Sequence, residues 1–224
     1  MKTIRSSILC LSALLLTASL LQGQDLSKYR NFTLGTSLTS ILKLNDQKLA
    51  DVKTVHARPI LIQELTWWPS SSSGASSRPE SVERILFSFS NGELYKISVI
   101  YDRSSTEGLT AADMVKSISL KYGPPTNVDL EIDPITNARF NLEQKSLASW
   151  QDSQFSVDLV RSSLAQGFGL VIYSKGVNRE ADLASAQAEK LEEEERPEKE
   201  ANQRKKEADD LEVMREKNQK SFRP

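Results

Sequence analysis

The sequence predicts an α+β fold: short helices packed on antiparallel sheet, in an order that reads as tandem αβββ units, with a charged helical tail behind them. Three observations predict it. Ile85, Phe87 and Phe89 alternate with polar or smaller residues, and Tyr95, Ile97, Val99 and Tyr101 alternate on the return. Met114, Ile118 and Tyr122 recur at helical spacing behind a capping signal. Residues 176–224 hold 11 Lys or Arg and 14 Asp or Glu in 49 positions, a net of 11 − 14 = −3, whereas residues 25–175 hold 16 of each.

In chain order, two positive charges at Lys2 and Arg5 precede an apolar run from Ile8 to Leu21 that closes on Gly23. This layout predicts a secretory signal peptide over 1–23, cleaved after Gly23. The run is shorter than the ~20 apolar residues that cross a bilayer core, and no later stretch is apolar enough, so the mature chain is expected to have no transmembrane span. Cys10 lies inside this run, so a mature chain would carry no thiol and would rest on its hydrophobic core.

The α+β body is expected over 25–175. Leu38, Ile41 and Leu42 follow a Thr or Ser able to cap a helix and mark a short first helix. Ala57 to Trp68 reads as a strand, broken by Pro69 and a Ser-rich loop that runs to Pro79. For the hairpin around Ser90-Asn91-Gly92, a two-residue turn would pair Phe87 with Lys96 and mix the faces. A three-residue loop pairs Phe87 with Tyr95 and Ile85 with Ile97, and is the predicted register.

Thr110 with Asp113 resembles a capping box, and Gly123-Pro124-Pro125 ends the second helix. Three strands follow, at Leu147 to Trp150, Phe155 to Arg161 and Phe168 to Ser174, with Trp150 expected opposite Phe155. The order helix, strand, strand, strand then repeats, which is consistent with a duplicated unit over 32–101 and 109–174 on element order alone. The tail, 176–224, has helix-forming composition with Glu192–Arg196, Glu195–Lys199 and Glu200–Arg204 in the favourable order. Its apolar residues are too sparse for a coiled-coil seam, and Pro197 is expected to interrupt any continuous helix.

Several chemistries lack their residues. With one cysteine, Cys10, and one histidine, His56, neither a Cys–His nucleophile pair nor a zinc site built on several His or Cys ligands can be assembled. No Gly-x-Ser-x-Gly elbow is present, so His56 reads as a surface or strand-edge residue. Asp129, Glu131 and Asp133 alternate as calcium ligands can, but Pro134 and Phe140 stand where the loop pattern needs Gly and Glu, so they read as a solvated acidic loop. Gly167-Phe168-Gly169 lacks the remainder of a phosphate-binding loop. Arg204, Lys205 and Lys206 are flanked by Glu200, Glu207, Asp209 and Asp210, which argues against nucleic-acid binding. No cofactor is expected.

Trp67 and Trp68 are adjacent and so point to opposite sides of a strand. One of them should lie outside the core, beside the Ser-rich loop, where an aromatic anchor would suit a partner-binding surface. They are the candidate binding residues, and no catalytic or metal residue is assigned.

At Phe32-Thr33-Leu34-Gly35-Thr36-Ser37 with Ile41-Leu42, and at Tyr122-Gly123-Pro124-Pro125 with Trp150-Gln151-Asp152, the chain resembles small bacterial envelope proteins. These are the outer-membrane-assembly lipoprotein family (SmpA/OmlA) and proteins of the β-lactamase-inhibitor-protein-like type. The resemblance spans Asp25 to Lys175 and implies helices on antiparallel sheet, sometimes in tandem, that bind proteins without catalysis. The chain departs from that pattern in lacking a lipidation cysteine at the cleavage point and in carrying the charged tail. The expectation is therefore a periplasmic or secreted, non-enzymatic module that binds another envelope or secreted protein. The alternative is a hydrolase acting on cell-wall or polysaccharide material through two carboxylates, and a third reading is a cation-dependent adhesin.

Overall fold

Alternation along the strands becomes one eight-stranded antiparallel sheet, in a computed structural model that describes residues 25–69, 81–129, 146–161 and 167–223. A two-stranded ribbon, β1 (Lys28–Tyr29) and β2 (Phe32–Thr33), leads into α1 (Leu38–Leu44), a 3₁₀ turn at Leu49–Asp51, then β3 (Lys53–His56), β4 (Ile62–Trp67), β5 (Val82–Ser90) and β6 (Glu93–Tyr101). Two helices follow, α2 (Arg103–Thr106) and α3 (Ala111–Tyr122), then β7 (Asn127–Val128), β8 (Ser146–Gln151), β9 (Phe155–Arg161), β10 (Phe168–Ser174) and α4 (Lys175–Ser221). The sheet order is β3-β4-β5-β6-β10-β9-β8-β7, so two meanders meet at their last strands. The α+β class predicted from the sequence is the class observed.

Both capping signals act as read. The Ser37 hydroxyl accepts from the Ser40 amide at the start of α1. Thr110 and Asp113 form a reciprocal box at the start of α3, where the Thr110 amide donates to Asp113 Oδ2 at 2.9 Å. These bonds satisfy amides that have no partner inside the helix.

The buried face of α1 (Leu38, Ile41, Leu42) and that of α3 (Met114, Ile118, Tyr122) share one core with the inner sheet residues Leu65, Ile85, Phe87, Ile97, Val99, Trp150, Val157, Leu159, Leu170 and Ile172. Each such side chain contributes ~1.5–3 kcal/mol by leaving water, which makes this layer the main stabilising contact. Two hydrogen bonds fix α3 at its C-terminal end: Trp150 Nε1 donates to the Gly123 carbonyl at 2.7 Å, and Tyr122 Oη donates to the Lys28 carbonyl at 2.8 Å.

The β5–β6 hairpin differs from the predicted register. Its turn is the two-residue Asn91-Gly92, at φ 50° and 82°, and Phe87 faces Ile97 while Ile85 faces Val99. The ladder shifts between Ser88 and Phe89, where Tyr95 is the extra residue. That bulge restores core-to-core pairing after the tight turn and sends Tyr95 to the opposite face, beside Ile62 and Ala181.

Two further expectations are corrected. Ala57 to Trp68 is not one strand: β3 ends at His56, the chain turns through Pro59, and β4 begins at Ile62. Proline has no amide to donate to a ladder, which excludes a central strand through it. Trp150 lies opposite Val157 rather than Phe155, with Gln151 opposite Ser156. The Asp152 carboxylate accepts from the Gln154 and Phe155 amides and closes a longer turn than the one read from the sequence.

The tail also differs. It is one helix of 47 residues that continues through Pro197, and Ala181, Ala184 and Ala188 are buried against the body. Val177, Ala181, Ala184, Ala188, Leu191 and Glu195 fall at alternating spacings of four and three, so one narrow stripe lies inward. Pro197 follows the last of these contacts, and Glu193, whose carbonyl loses its helical donor there, is exposed to water. Among the described residues, no helix is long and apolar enough to cross a membrane.

Candidate functional site

The Trp67–Trp68 pair separates as strand geometry requires. Trp67 lies opposite Ile85 and stacks edge-on against Phe32, with ring centroids 5.7 Å apart, while Phe32 meets Phe87 at 4.7 Å. Its indole is part of the core margin. Trp68 follows the end of β4 and is 46% exposed, the largest exposed aromatic among the described residues outside the C-terminal end of α4. The Ser-rich segment that should flank it, 70–80, lies outside the described residues.

His56 occupies edge strand β3, and its side chain faces α4, with Nδ1 3.6 Å from Glu192 Oε1. Two residues on, Arg58 bonds to Glu195, which also pairs with Lys199 at 3.0 Å. Lys199 and Arg58 together hold the Glu195 carboxyl below its usual range. The sole histidine is thus part of the seat of α4, a role its sequence neighbours did not signal. Asp129 gives its backbone amide to the Leu147 carbonyl, while Glu131 and Asp133 lie outside the described residues. No group of three or more His, Cys, Asp or Glu side chains is arranged to hold a metal among the described residues.

Beneath the start of α4 the second sheet face carries a polar strip. Burial lowers the pKa of Lys96, while Asp182 on α4 and Glu64 on β4 act in the opposite direction. Burial likewise pushes the neighbouring Tyr95 phenol up to about 12, assisted by Asp182 and Glu64. Asp158 is raised by burial and relieved by hydrogen bonds from Ser156 and Tyr173. Asp182 is thus the α4 carboxylate whose charge acts on this strip.

A concavity of about 290 Å³ lies on the other side of the molecule, between α2, α3 and the ends of β1, β6 and β10. Its floor is Met114, Ile118 and Leu170, and three phenols, Tyr29, Tyr101 and Tyr122, stand on its walls. Burial pushes the Tyr101 phenol well up, reinforced by Tyr29 and Tyr122, and burial also raises Tyr122. Lys121 Nζ lies 5.2 Å from the Tyr29 ring centre and 4.9 Å from that of Tyr122, and the Arg30 guanidinium is 5.6 Å from Tyr29. Sequence reasoning placed Tyr122 in the helix stripe and Tyr101 in a strand, and missed the cavity. The one local signal was the clustering of Lys28 and Arg30 around Tyr29, with Lys121 beside Tyr122.

No family model matches the chain, and comparison with curated proteins and with solved structures gave no match.

Proposed function

We propose that this chain is an exported, non-catalytic module that binds another envelope or secreted protein through the surface around Trp68, with the outer part of α4 as spacer or second contact. The observation that carries the reading is the contrast within the tryptophan pair: Trp67 is fixed against Phe32, while Trp68, next along the chain, is 46% exposed. An aromatic ring presented from a rigid strand end loses little conformational freedom on binding, which is why Trp is enriched among the residues that dominate interface energies. The signal-peptide layout of residues 1–23 and the resemblance to envelope proteins support a partner in the envelope or the medium.

The outer part of α4 fits the spacer role. Residues 196–223 are exposed throughout, and at ~1.5 Å per residue the helix from 196 to 221 extends about 39 Å beyond the body. Helices that are polar all round commonly bridge between bodies in solvent.

The test is photocrosslinking from position 68 in an extract of the producing cell's envelope and medium, beside Trp68→Ala and a chain ended after Glu195. The expected result is one dominant protein adduct whose affinity for the purified chain falls at least about tenfold in Trp68→Ala. Equal binding by Trp68→Ala, or loss of every partner on removing 196–224 alone, would move the contact away from this surface.

A further inference from the structure

The cavity under α3 is polar at one end and apolar at its base. Lys121 lines the β1 side, and Arg30 stands with it on the Tyr29 ring while the Lys28 carbonyl accepts from Tyr122 Oη, so Lys28 and Arg30 lie just outside the cavity, with Asp25 as the opposing charge; burial first, then the Lys28 and Arg30 charges, lower the pKa of Lys121. Those four groups sum to +2. At the α2 side the carboxylate bonded to a lining residue is that of Asp102, already engaged by the Ser104 hydroxyl and by the Ser105 amide at 3.0 Å. Between the two ends the floor is Met114, Ile118 and Leu170.

We propose that this cavity binds a small amphipathic carboxylate, with its apolar body on Met114, Ile118 and Leu170 and its carboxylate at Lys121. Size and charge select this class together. At ~30 Å³ per water-sized group, the 290 Å³ space seats on the order of ten non-hydrogen atoms, enough for the whole of a medium-chain acid. An apolar wall with few polar groups at one end is the usual plan of a small-ligand site. A local excess of positive charge beside aromatic faces attracts an anion and repels an amine of the same length. None of the lining residues belongs to the Trp67–Trp68 surface, so the two sites can be occupied independently.

The test is calorimetric titration of the purified protein with octanoate, octan-1-ol and octylammonium, each in low and high salt. Octanoate is expected to bind at a single site about tenfold more tightly than octan-1-ol, a gap of the size a charge-assisted hydrogen bond gives, and to weaken with salt. Lys121→Met should abolish that preference while leaving octan-1-ol binding unchanged. Leu109→Trp and Ser117→Trp, two bulky changes at exposed lining positions, should each weaken both ligands with the melting temperature held. Absence of saturable octanoate binding, equal or stronger binding of octan-1-ol or octylammonium, or full octanoate affinity in all three variants would overturn the assignment.

Discussion

Arg58 Nη2 donates to Glu195 Oε1 at 2.5 Å across 137 residues of sequence, fastening the β3–β4 turn to the middle of α4. The pair is conspicuous but open to water, with side-chain exposures of 60% and 31%, and exposed ion pairs contribute little to stability. The buried alanine stripe stabilises the contact more, because Ala181 at 1% exposure packs with Ile62 and Tyr95, and Ala184 and Ala188 continue the same face. Arg58→Ala should therefore barely move the urea-unfolding midpoint. Ala184→Glu, which forces a carboxylate into that seam, should cost about 3 kcal/mol and raise amide exchange across residues 175–195. A reversed ranking would mean that the ion pairs hold the helix.

The two tryptophans should separate in stability as they do in position. Trp67→Ala removes the ring that packs on Phe32 and opens the margin of the core, at a cost of about 3 kcal/mol in chemical denaturation. Trp68→Ala should cost about 1 kcal/mol or less, since the side chain is 46% exposed.

The α3 cap supplies an acid-range prediction. Hydrogen bonds from the Thr110 hydroxyl and amide hold the Asp113 carboxyl below its ordinary pKa. A depressed carboxyl stabilises the fold above its unfolded pKa of 3.8, and that contribution is lost as pH falls through the depressed value. Asp113→Asn should thus be less stable than wild type near neutrality, with the gap closing below about pH 4. Thr110→Ala should cost ~1 kcal/mol at neutral pH, read by urea unfolding.

In alkali, Tyr95, Tyr101, Tyr122 and Tyr173 all have raised pKa values, with burial as the first cause in each. A phenol raised in the folded state stabilises it fully below the unfolded value of 10.0, and the contribution disappears as pH climbs through the folded value, about 12 for Tyr95. Lys96 and Lys121, both lowered mainly by burial, act in the opposite sense below 10.5. With four phenols against two amines, stability should fall above about pH 10. Phenolate absorbance should then rise cooperatively with loss of tertiary circular dichroism; full phenol titration in a chain that keeps its tertiary signal would contradict this.

What could be read along the chain was local. Helix caps at Ser37 and Thr110, the stop at Gly123 and the alternation of β5 and β6 depend on neighbours within a few residues, and all of them occur. The hairpin register failed because a bulge at Tyr95 is decided by Ile62 and Ala181, residues far away in sequence. The packing of α4 was missed because the three buried residues of its inward stripe are alanines, too small to register as an apolar stripe, although they allow the helix close approach to the sheet. The cavity joins Tyr29, Tyr101, Tyr122 and Leu170, which only the finished topology brings together. Trp68 was legible as one of an adjacent pair, but which of the two would be buried was settled by Phe32.

The position of β10 between β6 and β9 has a consequence for biosynthesis. A nascent polypeptide that has emerged only as far as residue 167 has the first meander and three strands of the second but lacks the strand that joins them, leaving the margins of β6 and β9 bare. Such margins recruit foreign strands, so the half-made product is the aggregation-prone species. Assembly must await almost the last portion of the globular part to be translated, and truncations that stop before Phe168 should accumulate as inclusion bodies rather than as smaller folded proteins.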